Sequence, residues 1–230
     1  MKVCPTPALE SRADPMSERR LQADGRAAIG LTGGLASGKS SALEMFARLG
    51  ARVISADAIV HGLYELAEVR SALRARFGDG IFDTSGAVDR RALSSRLSRR
   101  GDDLAAVESI VHPHVEGELR AFVAHGPRGS VNVCEVPLLF EGGLQGLFDL
   151  VLTIEAPAAV RRERASSRMT PDVFEWLDAR QAGEEARSAG ADLAYANTGS
   201  PEELRTFVTG VYERAQAMAT GRAEGSHARA

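Results

Sequence analysis

Apolar and polar positions alternate in two rhythms along the chain. Short apolar runs, several of them β-branched and each closed by a glycine, a proline or a turn residue, fall at 27–32, 52–55, 131–136, 150–154 and 193–195. Runs of that length, apolar on both faces, predict strands of a buried parallel sheet. Between them the period changes to that of a helix. Ala42, Met45, Phe46 and Leu49 recur at i, i+3, i+4 and i+7, and Gly50 follows as a C′ stop. Residues 58–125 are mostly helical in period. Val69 and Leu73 mark one face, Leu104, Val107, Ile110 and Val111 a second, and Val115, Leu119, Phe122 and Val123 a third. After the fourth run comes a basic helix with Arg161, Arg162, Arg164 and Arg168, and then Thr170-Pro171 as N-cap and N1 of the next helix. Ser200-Pro201-Glu202-Glu203 reads as a capping box ahead of a terminal helix with Leu204, Phe207, Val208 and Val211 on one face.

Strands alternating with helices predict an α/β fold with a parallel sheet, interrupted by a helical insertion between the second and third strands. The expected organisation is a mobile polar leader over 1–26, a core over 27–57 and 129–219, and a helical insertion over 58–128. A small, polar and frayed tail is expected over 220–230.

Composition narrows the class. The chain has 230 residues, 44% of them apolar and 26% charged, which suits one compact domain with a real core and excludes wholesale disorder. Basic and acidic residues number 28 and 31, a formal charge of −3, so the average carries no basic nucleic-acid footprint. No stretch approaches the roughly 20 apolar residues of a bilayer helix, and no membrane association is expected. The N-terminus lacks the apolar region of a signal peptide, and Met16 is an alternative start. The two cysteines are Cys4, in the polar leader, and Cys134, in a strand run; a disulfide between them is not expected, and a reducing, cytoplasmic setting is.

The chemistry enters at Gly33-Gly34-Leu35-Ala36-Ser37-Gly38-Lys39-Ser40, which satisfies G-x-x-x-x-G-K-[ST] with a strand before it and a helix after it. Glycines let the backbone curl so that successive N–H groups face phosphate oxygens, and the helix N-terminus adds partial positive charge. Lys39 is placed to reach the β- and γ-phosphates. Ser40 offers a hydroxyl to Mg²⁺, and Ser41 completes the nucleotide-binding run. No N-K-x-D signature for guanine follows, and the chain is short for a motor. A kinase of a small molecule remains.

Further runs resemble one family, the dephospho-CoA kinases. They are Ile29-Gly30-Leu31-Thr32, Leu49-Gly50-Ala51, Ala56-Asp57, Gly86-Ala87-Val88-Asp89-Arg90, Ile110-Val111-His112-Pro113-His114-Val115 and Val136-Pro137-Leu138-Leu139-Phe140-Glu141. Phe148-Asp149, Arg164, Arg168, Gln181, Ala191-Asp192 and Asn197 continue the match, which covers 29–204 in order. The resemblance implies a P-loop NTPase fold with a five-stranded parallel sheet, a helical acceptor domain over 58–128 and a small lid at about 160–183. It also implies transfer of the ATP γ-phosphoryl group to the ribose 3′-hydroxyl of dephospho-CoA, giving CoA and ADP. ATP and dephospho-CoA are the expected partners, Mg²⁺ the cofactor and a monomer the expected state.

The resemblance also distributes roles. Asp57 matches the proposed base, at the carboxyl edge of the sheet where α/β ligands bind; the bland alternative is an N-cap. Ser55 stands where the family usually has a first Asp. His112, Pro113, Asp89, Arg90 and Leu139 fall on the acceptor side, although a helix-start His-Pro and an Asp89 N-cap explain those residues as well. Glu135, near the end of the third strand, is a metal-side acid, or else a solvated edge residue. Glu141 is structural or acceptor-side. Arg164 and Arg168 are catalytic lid arginines, or else part of a solvated basic helix. Arg161 stands where the family often has Gln. Asn197 fits a loop near the adenine or a plain Asn-Thr-Gly turn. Two alternatives remain: a related small-molecule or nucleoside-monophosphate kinase, and a catalytically silent nucleotide-binding regulator.

Overall fold

The computed structural model describes residues 25–97 and 101–227; most of the leader, Cys4 included, and 228–230 of the tail lie outside the described residues. Five parallel strands, β1 (Ala27–Gly33), β2 (Arg52–Ser55), β3 (Val131–Glu135), β4 (Leu150–Glu155) and β5 (Leu193–Ala196), form one sheet in the order β2-β3-β1-β4-β5. The central strands β1, β3 and β4 are buried at every residue, whereas β2 and β5 at the edges are only half-buried. This division explains why the central runs are the more strongly apolar.

Alternation along each strand sorts side chains to two cores. Ala27, Ile29, Leu31, Val131, Val133, Leu150, Leu152 and Ile154 face α1 (Lys39–Arg48) and α9 (Pro201–His227), meeting Phe46, Leu204 and Val208. Ala28, Cys134 and Val151 face the other way, into a cluster shared with α2 (Ala56–Leu63), α3 (Ala67–Phe77), α4 (Arg90–Leu97) and α5 (Gly101–Ala124). Gly30 belongs to this second face. A Cβ there would sit 2.5 Å from Phe148 and 2.8 Å from Leu139, so its bare backbone admits both side chains against the sheet.

Three helices, α6 (Ala158–Ala165), α7 (Pro171–Asp178) and α8 (Glu184–Gly190), lie between β4 and β5. No helix among the described residues is long and apolar enough to cross a membrane. Several local readings change. His112 and Pro113 do not start a helix: α5 is one 24-residue helix with Pro113 inside it, so the two apolar faces read before and after that proline belong to one element. The N-cap of α2 is Ser55, whose hydroxyl accepts from Ala58 N at 3.1 Å, and Asp57 sits in the first turn instead. The basic helix expected to carry Arg161 through Arg168 ends at Ala165, so Arg168 lies in the turn beyond α6. The terminal helix continues to His227, past Thr220, and Ala219 near that point is still packed in the core. Asp89 caps α4 as expected, accepting from Arg91 N and Ala92 N at 2.9 and 3.1 Å. The Ser200–Glu203 capping box also forms, through Ser200 N to Glu203 Oε2 at 2.7 Å and Glu203 N to Ser200 Oγ at 3.3 Å.

Candidate active site

The loop between β1 and α1 curls at the carboxyl edge of the sheet. Its two hinge glycines are required by geometry. Gly33 has φ +142° with a hypothetical Cβ 2.0 Å from the Ile154 carbonyl oxygen, and Gly38 has φ +109° with one 2.3 Å from Asn197 Nδ2. Ala36 is left-handed too, at φ 58°, a strained state that a tightly wound functional loop holds. Asn197 Nδ2 donates to the Ser37 carbonyl at 2.8 Å, and Arg164 donates to the Ser37 and Asn197 carbonyls at 3.3 and 3.1 Å. The turn after β5 and helix α6 therefore clamp the loop from outside.

Lys39 is buried and folds back on its own loop, donating to the carbonyls of Gly33 at 3.0 Å and Gly34 at 2.8 Å. Burial lowers its ammonium to about 8, against the raising influence of the carboxylates of Glu135, Glu155 and Asp57 and with a further lowering from Arg187. Glu135 closes β3, is buried, and accepts from Ser40 Oγ at 3.3 Å. Burial raises its pKa, with Lys39 opposing and the Asp57 charge adding to the shift. The solvated-edge reading of Glu135 therefore does not hold. Behind Lys39, Glu155 and Arg187 form a buried pair, Nε to Oε1 at 2.7 Å, so the ammonium sits among fixed charges of both signs.

One cavity of about 1130 Å³ runs from this loop to the helical insertion. Leu35 through Ser41, Asp57, Glu135, Arg164, Arg168 and Asn197 all line it. On the far side α5 contributes two parallel rows, Val107, Val111 and Val115, and Glu108, His112 and Glu116. Each row repeats every four residues, so each lies along one stripe of the helix. That spacing is visible in the sequence and would have added Glu108 and Glu116 to the candidate residues.

Other expected residues lie elsewhere. Leu139 is fully buried in the core against Gly30 and does not line the cavity; its neighbour Leu138 does. Pro113, Asp89 and Arg90 are exposed and outside the lining, although Tyr64, which feels the Arg90 charge, is inside it. Gly33 and Gly34 shape the loop from beneath. Glu141 accepts from Ala182 N, joining the segment after β3 to the chain after α7. Arg161 is buried and gripped by Asp178, with Nε donating to the Ala156 carbonyl at 3.0 Å, so it is a structural tie and not a solvated lid residue. Cys134 is a buried free thiol pushed up to about 12, mainly by burial, and has no access to the site.

A five-stranded parallel sheet, a phosphate loop after its central strand and a cavity reaching from that loop to inserted helices define a P-loop kinase of a small molecule. The family model described as dephospho-CoA kinase matches residues 27–203. The chain belongs to the dephospho-CoA kinase family, and it phosphorylates dephospho-CoA at the expense of ATP in coenzyme A biosynthesis. A dephospho-CoA kinase of Thermobifida fusca (strain YX) is 37% identical over 197 residues, covering 82% of this chain and 96% of that protein. One from Thiobacillus denitrificans (strain ATCC 25259 / T1) is 36% identical over 198 residues, covering 84% and 98%. Among solved structures, the Thermus thermophilus protein TT1252 superposes with a TM-score of 0.68 at 28% identity, covering 82% of this chain and 97% of that one.

Proposed function

We propose that the γ-phosphoryl group of ATP passes to the ribose 3′-hydroxyl of dephospho-CoA in the cavity between the phosphate loop and α5, with Asp57 accepting the hydroxyl proton. The observation that carries this reading is the single continuous cavity. It brings the loop, Asp57 and the apolar and polar rows of α5 to one space, large enough for a nucleotide and a second substrate. Asp57 is exposed to that cavity in the first turn of α2, just past the end of β2, where an incoming hydroxyl meets it beside the phosphates. Lys39, Arg164 and Arg168 supply positive charge to the polyphosphate, the latter two as lid arginines from α6 and the turn after it.

Mg²⁺ fits the residues present. Ser40 and Glu135 offer hard oxygen donors in hydrogen-bond contact, and burial makes the Glu135 carboxylate's charge costly, which a divalent cation beside Lys39 would further offset. Ser40 and Glu135 would hold it, the carboxylate directly or through water. Bound there, the ion would neutralise charge on the phosphates. His112 and its neighbours on α5 would bind the acceptor, with Leu138 taking the place expected of Leu139. A monomer is the proposed state, and the cytoplasm, where ATP is made and consumed, is the setting.

The experiment is an ADP-release assay with and without dephospho-CoA, followed by identification of the phosphorylated position by phosphorus NMR. ADP release that requires dephospho-CoA and yields the 3′-phosphate is the expected result. Transfer to a nucleoside monophosphate instead, or phosphate at another hydroxyl, would overturn the reading.

A further inference from the structure

Gln181 belongs to the matched family run but has no place among the loop, base, arginine or metal residues. It follows the end of α7 and lines the cavity. Its side-chain amide nitrogen donates to two carbonyls, that of Gly33 at 3.2 Å and that of Pro137 at 2.9 Å. Gly33 opens the phosphate loop. Pro137 follows β3 and leads into Leu138, on the acceptor side of the cavity. One amide thus spans the donor-side loop and the acceptor-side loop. Its Oε1 is buried with no hydrogen-bond partner among the described residues, so the hydrogen bonds the side chain makes are donations to these carbonyls.

The Gly33 carbonyl has a second donor, the Lys39 ammonium at 3.0 Å. Phosphates entering the loop compete for that ammonium. A buried carbonyl stripped of its donor is unfavourable, and the Gln181 amide is the group that stays. The segment carrying Gln181 is held on every side. Asp178 grips Arg161, whose guanidinium also donates to the Leu35 carbonyl at 3.4 Å; Arg180 pairs with Glu108 on α5; and Ala182 N donates to Glu141. These ties fix the amide in place, as a group that orients others must be fixed.

We propose that Gln181 is a positioning residue for phosphoryl transfer. It keeps the Gly33 carbonyl satisfied when Lys39 turns to the phosphates, and it holds the phosphate loop in register with the Pro137–Leu138 segment. This rests on the reading that ATP occupies the loop.

The test compares the full-length wild-type protein with Gln181→Met, which keeps length but removes the donor, and Gln181→Glu, which sets an oxygen against both carbonyls. ATP affinity is measured alone by calorimetry, and kcat and KM for each substrate are then measured at several pH values. The expected result for Gln181→Met is a fall of about tenfold in ATP affinity and in kcat/KM for ATP, with a smaller rise in the dephospho-CoA KM as the Pro137–Leu138 segment loses its tie. Gln181→Glu should be worse near neutral pH and recover relative to wild type as pH falls, because a protonated carboxyl regains one donor. Wild-type ATP affinity and kcat/KM in both variants would overturn the proposal. So would a loss shared equally by the two substrates, flat with pH and tracking a lowered melting temperature. If wild-type protein bound ATP but did not turn over dephospho-CoA, the function reading would fail, while the ATP affinities of the variants would still decide the role of Gln181.

Discussion

The Asn197 side chain closes the phosphate loop from behind: its Nδ2 donates to the Ser37 carbonyl at 2.8 Å and occupies the space where a Cβ on Gly38 would fall. A residue expected near the adenine thus also fixes the loop that binds the phosphates. Asn197→Ala removes the shorter of the two donors and leaves the Ser37 carbonyl only Arg164 at 3.3 Å, a loss of about 0.5–1.5 kcal/mol. Thermal unfolding should show a lower melting temperature and ATP titration a weaker affinity. Gly38→Ala should do worse, since it adds a clash to a left-handed backbone.

Lys39 makes nucleotide binding pH-dependent. Its ammonium titrates at about 8 in the free protein because burial disfavours the charge, and bound phosphates would restore it. Near pH 9 (about one unit above that value) the free group is mostly neutral, so ATP binding should take up close to one proton and weaken as pH rises through about 8. Calorimetry in two buffers of different ionisation enthalpy measures the uptake, which should be small near neutrality. In the apo protein the sign is opposite for stability. Between about 8 and the ordinary value of 10.5 the unfolded chain binds more protons at this group, so its contribution to stability rises with pH. Lys39→Ala should fold normally and abolish both the proton uptake and turnover.

Ser55 is assigned to the fold by its hydrogen bond to Ala58 N. Ser55→Ala should cost about 0.5–2 kcal/mol, the usual loss for a side-chain N-cap. Denaturant unfolding should register that change while turnover at saturating substrates stays near wild type.

His112 is exposed on the α5 row that faces the cavity, across from the loop. His112→Ala should raise the KM for dephospho-CoA several-fold and leave that for ATP nearly unchanged. Steady-state kinetics with each substrate varied in turn separates the two, and equal losses would count against the division of the cavity.

Strand positions and the phosphate loop were legible in the sequence because both depend on local signals. All five apolar runs became strands within a residue or two, and the glycine spacing named the loop outright. What was not legible depended on three-dimensional neighbours. Whether Leu138 or Leu139 faces the cavity is decided by Gly30, more than a hundred residues away, whose missing side chain makes room for Leu139. A helix start was the bland alternative for His112-Pro113, but packing of Val107, Val111, Val115 and Leu119 on both sides of the proline carries α5 through. An N-cap was the bland alternative for Asp57, and the hydrogen bond from Ala58 N gives that place to Ser55 instead. The Gln181 contacts to Gly33 and Pro137 span 148 and 44 residues, and no local pattern announces them.

Asp57 carries the central claim, and Asp57→Asn tests it most directly. The substitution keeps the shape and leaves the Ser55 cap in place, so stability should fall only by about 0.3–1 kcal/mol, from the loss of a negative charge in the first turn of α2. The basic lone pair is lost. The decisive measurement is the single-turnover rate of CoA formation with ATP and dephospho-CoA both saturating, for wild type and Asp57→Asn. A rate lower by about 10²–10⁴-fold with both ligands still bound is the predicted result. An Asp57→Asn protein that binds both ligands and forms CoA at near the wild-type rate would contradict the assignment of Asp57 as the base.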